Sequence, residues 1–271
     1  MRKLHRMKIY LDYNLFAYLH EGTNQALQAK VSVLSDRHEF PYSPAHMEEI
    51  AATLARPSDT PSLDRLASAF CEIDNVSRIS RNVQMSPTTL GPMVTKEEQP
   101  LDCFLRVMRH YRREPVVEKN DWCMRDFVKK ANVCEDISNQ MPNLPSDFLA
   151  NSEDRENLLL ELLLRSDLPL ICRAHGVSDI YWPTISYHFP VLQRAIELTM
   201  GFLDETSYLP EQVRQPRPLR HEVAHSIYAS GCEQFITNNK RLYDKVKVSY
   251  TYLSIPTEVL MVEDFVSRGY A

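Results

Sequence analysis

Apolar positions open the chain as a short β-type run, residues 7–11 (MKIYL), which stops at Asp12-Tyr13-Asn14. Over residues 15–29 the spacing turns helical, with Leu15, Tyr18, Leu19 and Leu27 on one stripe. Residues 39–42 (EFPY) predict a second short strand, and Ser43-Pro44 opens a helix to residue 54, Ser43 as its N-cap and Pro44 as its first residue. Another helix is expected over 59–70, and mostly loop over the polar, Pro-bearing stretch 75–100. Residues 101–140 read as helix in two pieces, 157–165 (NLLLELLLR) as a buried helix, and Trp182-Pro183 precedes a helical run to about residue 203. Pro210, Pro216 and Pro218 mark a loop.

The last segment is the most regular. It predicts an amphipathic helix over 219–231 with Gly231 near its C-cap, a strand over 234–236 and a turn at Thr237-Asn238-Asn239. A helix over 240–252, a strand over 257–262 and a short helix over 263–268 complete it. Both chain ends are therefore α/β and the middle is nearly all helix. The expected architecture is one α/β domain built from residues 1–75 and 205–271, with a helical insertion, 76–204, packed on it. A strand that feeds a helix through Asp-x-Asn puts functional groups at strand carboxyl ends.

Composition narrows the chemistry. With 44% hydrophobic and 25% charged residues, the 271-residue chain is an ordinary globular sequence. It has only six glycines and neither GxxxxGK[ST] nor GxGxxG, which argues against a Gly-rich phosphate loop. The net charge of −5 leaves nucleic-acid binding to local patches. The six cysteines are scattered without a CxxC, so neither a zinc ribbon nor a disulfide framework is expected. No apolar run suits a signal peptide or a membrane span, and the expected location is cytoplasmic.

Candidate ligands stand at four places: Asp12 after the first strand, Glu48 and Glu49 on the helix after Ser43, Glu222 near the start of the 219–231 helix, and Asn239 after the FIT strand. Phosphodiester hydrolysis uses a hard cation to hold the phosphate and activate water, and such cations take carboxylate oxygens. Three segments, MKIYLDYN, SPAHMEEIA and HSIYASGCEQFITNNKRL, resemble in order the N-terminal aspartate motif, the helix-borne glutamate and the last block of PIN-domain ribonucleases. TEVLMVEDF is similar to that family's final strand and helix. The resemblance covers about residues 7–55 and 218–265.

The resemblance implies a twisted parallel sheet flanked by helices, and Mg²⁺- or Mn²⁺-dependent endonuclease activity, usually on RNA, with DNA as the other substrate. It makes Asp12 the central ligand, Asn14 its companion, and Glu49 rather than Glu48 the family glutamate. Glu222 takes the place of the third acid and Asn239, uncharged, that of the fourth, with Thr237 beside it. Asn238, Lys240 and Arg220 would meet the substrate. With about three charges instead of four, the site is expected to bind metal more weakly. Toxin-like relatives of this kind suggest a regulatory protein partner, and self-association is open.

Two alternatives stand beside this reading. His221-Glu222-Val223-Ala224-His225 is literally HExxH, which puts two imidazoles one turn apart for a zinc protease. Its context is poor: Tyr228 and Gly231 stand where one common extension needs Gly and His, and little chain follows. The other alternative is a binding module with a decayed site. Arg106, Arg109, His110, Arg112 and Arg113, then Arg125, Lys129 and Lys130, and Arg214, Arg217 and Arg220 form basic clusters that suit either solvent or phosphates.

Overall fold

The computed structural model describes residues 6–54, 62–88, 92–110, 159–160, 163–178, 180, 182–205 and 216–270; of 110, 182, 205 and 216–220 it describes the backbone alone. The chain is a mixed α/β protein built on a small parallel sheet flanked by helices. Strands β1 (Ile9–Leu11), β4 (Gln234–Thr237) and β5 (Glu258–Met261) are parallel, in the order β1-β4-β5. A hairpin of β2 (Val83–Pro87) and β3 (Met93–Glu97) is joined to it by single bridges from the segment 39–42. Glu39 pairs with Lys8 beside β1, and Tyr42 pairs with Gln84 of β2.

Strands β1 and β4 are buried on both faces, as parallel strands under two helical layers must be, and the edge strand β5 is partly open. Alternation along them divides the core. Ile9, Leu11 and Ile236 point into one cluster, and Tyr10, Phe235 and Val259 into the other. The first cluster is closed by α1 (Tyr13–Glu21), α2 (Gln25–Leu34), α3 (Pro44–Leu54), α4 (Leu63–Ser80) and α5 (Pro100–His110). Within the middle of the chain, α6 (Leu168–Ala174), α7 (Trp182–Ile185) and α8 (Phe189–Glu205) follow. Val191, Leu192, Ala195 and Ile196 of α8 share the second cluster with Ile227 of α9 (Pro216–Ala229) and Val246 of α10 (Lys240–Tyr252). Val262 and Phe265 of α11 (Val262–Ser267) return to the first.

Local chemistry explains where elements stop. The helical run expected over 15–29 is two helices, because Gly22 takes a left-handed conformation (φ 68°) and ends α1 before Asn24 caps α2. Ser62 caps α4, which continues past residue 70 to Ser80. Residues 83–87 and 93–97, expected as loop, form the paired strands of the hairpin instead. The strand expected at 39–42 exists only as the two bridges. The second helical piece expected before residue 140 lies outside the described residues, as do Arg112, Arg113, Arg125, Lys129, Lys130 and Arg214. No helix among the described residues is long and apolar enough to cross a membrane.

Candidate metal centre

Asp12 is the residue at which β1 ends, and its backbone N–H donates to the carbonyl of Ile236 in β4 (2.9 Å). From β1 the chain moves to the 39–42 segment on one side, whereas β4 returns on the other. Asp12 thus sits at the switch between the two directions, on the carboxyl edge, where open α/β sheets form their crevices. It occupies the N-cap position of α1 but makes no side-chain capping bond. Its carboxylate accepts instead from the Thr237 hydroxyl at the end of β4 (2.9 Å).

Two helices bring the other members. Glu49 on α3 and His225 on α9 meet Asp12 so that one ligand atom from each lies within 4.8 Å of the others, which makes these three a candidate cation site. His225 Nε2 is 2.7 Å from Glu49 Oε1. Its Nδ1 is 2.7 Å from the Tyr10 hydroxyl, which is 2.6 Å from Ser43 Oγ. Ser43 donates its backbone N–H to His46 Nδ1 (3.0 Å), and His46 Nε2 faces the carbonyl of Leu11 (2.9 Å). Asp12, Tyr10, Ser43, His46 and His225 are all buried, whereas the Glu49 side chain keeps 22% of its surface open.

Burial raises the Asp12 carboxyl above its ordinary range; His225 opposes the rise and Glu49 adds to it. For His225 burial works downward, but the Glu49 hydrogen bond and the charges of Glu49, Asp12 and Glu48 together outweigh it, and the net shift is upward. His46 falls well below the usual histidine range through burial and the nearby His225 charge. Burial holds the Tyr10 phenol far up, so it acts as a neutral hydroxyl.

The other sequence candidates surround this group at different distances. Glu222 lies one turn before His225, outside the three-member group, and its Oε1 accepts from Asn239 Nδ2 (3.0 Å). Asn239 is the N-cap of α10, with its oxygen accepting from the N–H groups of Arg241 and Leu242, and its own N–H donates to Thr237 Oγ1 (3.0 Å). A polar line therefore runs Glu222, Asn239, Thr237, Asp12. Asn238 donates to the Tyr18 hydroxyl (2.7 Å). Lys240 bonds Asp244 (2.7 Å) and lies over the Tyr243 ring. Asn14 is exposed in the first turn of α1. The side chain of Arg220 lies outside the described part.

The sequence offers His225 as the second histidine of HExxH or as a packing or hydrogen-bonding neighbour of the acidic cluster; it joins Asp12 and Glu49 as a third candidate ligand, and His221 is not in the group. Tyr10, Ser43 and His46 are absent from the sequence reading as polar partners. The available signal was a tyrosine inside an apolar strand and a histidine three residues after a helix cap. No family model matches the chain, and no curated protein or solved structure matches it significantly.

Proposed function

We propose that the chain is a PIN-like endonuclease that hydrolyses phosphodiester bonds in RNA with Mg²⁺ or Mn²⁺ held by Asp12, Glu49 and His225. The supporting observation is the meeting of three ligand side chains, from the end of β1, α3 and α9, within 4.8 Å on the carboxyl edge of a parallel sheet. The donor set suits a divalent cation. At bond lengths of about 2.0–2.2 Å, neighbouring ligand atoms around a small cation stand about 3 Å apart and opposite ones about 4.2 Å. The three ligand atoms, within 4.8 Å of one another, would draw together to that range on binding. When bound, the cation would offset phosphate charge and make a water more acidic.

The chain's own residues divide the remaining work. Thr237 fixes the Asp12 carboxylate, and α1 directs its positive amino end at the same place. Glu49, the most open of the three, faces the side from which water and substrate arrive. Lys240, its side chain 67% exposed at the start of α10 beside Asp244, would meet a phosphate. RNA and DNA substrates are incubated with Mg²⁺, Mn²⁺ or EDTA. Cleavage that needs the metal and vanishes in Asp12→Asn supports the proposal, and cleavage surviving both EDTA and Asp12→Asn contradicts it.

One observation favours a binding module with a spent site. Asn239 is uncharged, and both ends of its amide are engaged in the cap and in Glu222. Metal binding without cleavage of any nucleic acid is its expected result. The HExxH protease has less support, because His225 turns to Glu49 and Tyr10.

A further inference from the structure

We infer that a relay of buried hydroxyls, anchored on backbone groups, fixes the tautomer of His225 so that Nδ1 carries hydrogen and Nε2 is presented as a nitrogen ligand between Asp12 and Glu49. Tyr10 is the positioning residue in this relay. The inference rests on the metal-site reading above and deepens it.

The relay starts where the chemistry is unambiguous. His46 Nε2 faces a carbonyl, Leu11 O, at 2.9 Å, and a carbonyl only accepts, so Nε2 carries hydrogen. His46 Nδ1 receives the backbone N–H of Ser43 at 3.0 Å, so Nδ1 is bare. Ser43 Oγ is 3.2 Å from that same bare nitrogen. That nitrogen cannot donate; of the two hydroxyls near it, Ser43 at 3.2 Å and Tyr10 at 3.5 Å, the nearer is assigned as its donor beside the Ser43 N–H. Ser43 Oγ must then accept from Tyr10 across their 2.6 Å contact. A phenol has one hydrogen, and Tyr10 has used it. Its oxygen therefore accepts from His225 Nδ1 at 2.7 Å, which makes that nitrogen the donor.

The consequence falls on the other side of the ring. A neutral His225 with hydrogen on Nδ1 has a bare Nε2, and this lies 2.7 Å from a Glu49 oxygen. Two lone pairs at that separation call for a cation between them. A proton fills the place in the metal-free chain, and a divalent ion is what the neighbouring Asp12 adds room and charge for. Ligating histidines hold their second ring nitrogen in such a bond, and losing the partner costs metal affinity about 10–100-fold. A nitrogen donor also shifts preference from Mg²⁺ toward later divalent ions.

The test uses the full chain with ¹⁵N-labelled histidine and Zn²⁺ as a diamagnetic probe, read by nitrogen chemical shifts. His225 is assigned by the signal that His225→Gln removes. The relay predicts a protonated Nδ1 and a metal-shifted Nε2 in the parent. In Tyr10→Phe, Zn²⁺ affinity falls about tenfold and the Nδ1 hydrogen exchanges faster with solvent. His46→Gln, which removes the anchor and keeps Tyr10, gives a mixture of His225 tautomers. Zn²⁺ on Nδ1, or an unchanged signal in Tyr10→Phe, overturns the relay while leaving the metal site standing. If Zn²⁺ leaves the histidine signals of the parent untouched, the relay and the metal site fall together. Should Tyr10→Phe not fold, the parent's tautomer and His46→Gln still decide.

Discussion

At the scale of single residues, the site depends on donors that hold ligands from behind. Thr237 gives its one hydroxyl hydrogen to Asp12 and receives the N–H of Asn239, so it ties the central carboxylate to the cap of α10. Thr237→Val keeps the shape and removes the donor. We expect Mn²⁺ affinity, followed by calorimetry, to fall about tenfold or more, while the helical signal by circular dichroism is retained. Equal affinity in the variant would deprive Thr237 of this role. Asp12 was legible in the sequence as the residue that ends the first strand, whereas the choice of Glu49 and Thr237 came from what the sequence resemblance implies. For His225 the sequence indicated a place near the acidic cluster but no ligand role, because HExxH pairs it with His221, whereas the fold turns it to residues 10 and 49. The Tyr10–Ser43–His46 relay leaves no periodic trace: Tyr10 sits in a run that pattern reading assigns to apolar packing, Ser43 reads as a helix cap, and His46 stands within a helix with nothing to mark its partner.

At the scale of elements, two junctions carry predictions. The turn after α9 passes the β2–β3 hairpin so closely that a Cβ on Gly231 would stand 2.6 Å from Met93 Cγ, 2.8 Å from Met85 Cε and 2.9 Å from Met93 Cβ. The far Met85 methyl can move, but Met93 Cβ is fixed to the strand. Gly231→Ala should cost about 1–3 kcal/mol, the usual range for overpacking, seen as a lower urea midpoint; an unchanged midpoint would mean the hairpin shifts freely. The hairpin is also joined to α5 by Glu98, which bonds Arg106 and Lys96. Partial burial works against the Glu98 charge, but these two cations outweigh it and lower its pKa. A carboxyl lowered on folding stabilises above its unfolded pKa, about 4.3, and loses that contribution as pH falls through the folded value. The stability gap between parent and Glu98→Gln should therefore be open at pH 7 and close below pH ~4; a gap independent of pH would contradict the ion-pair account. Sequence spacing located α10 and β5 within a residue, since their caps and apolar faces are regular. It missed the hairpin, whose strand residues alternate weakly and are mostly only half buried.

At the scale of the molecule, β1 and β4 lie more than two hundred positions apart in sequence and pair side by side. That pairing brings Asp12 beside Thr237, and the helices on both faces then deliver Glu49 from one side and His225 from the other. The parallel order was what the sequence resemblance implied, and the α/β character of the chain ends was legible, because short β-type runs alternate with helices there. The place of α8 was not, since an apolar stripe shows that a helix is covered and does not show by what; here it shares a core with α9 and α10. The central claim is that these distant segments jointly hold one divalent ion. Titration of the metal-free full chain with Mn²⁺, read by electron paramagnetic resonance of the free ion, tests it most directly. The account predicts one bound Mn²⁺ per chain, lost in Asp12→Asn and weakened in His225→Gln. No binding by the parent, or binding that Asp12→Asn leaves unchanged, would contradict it.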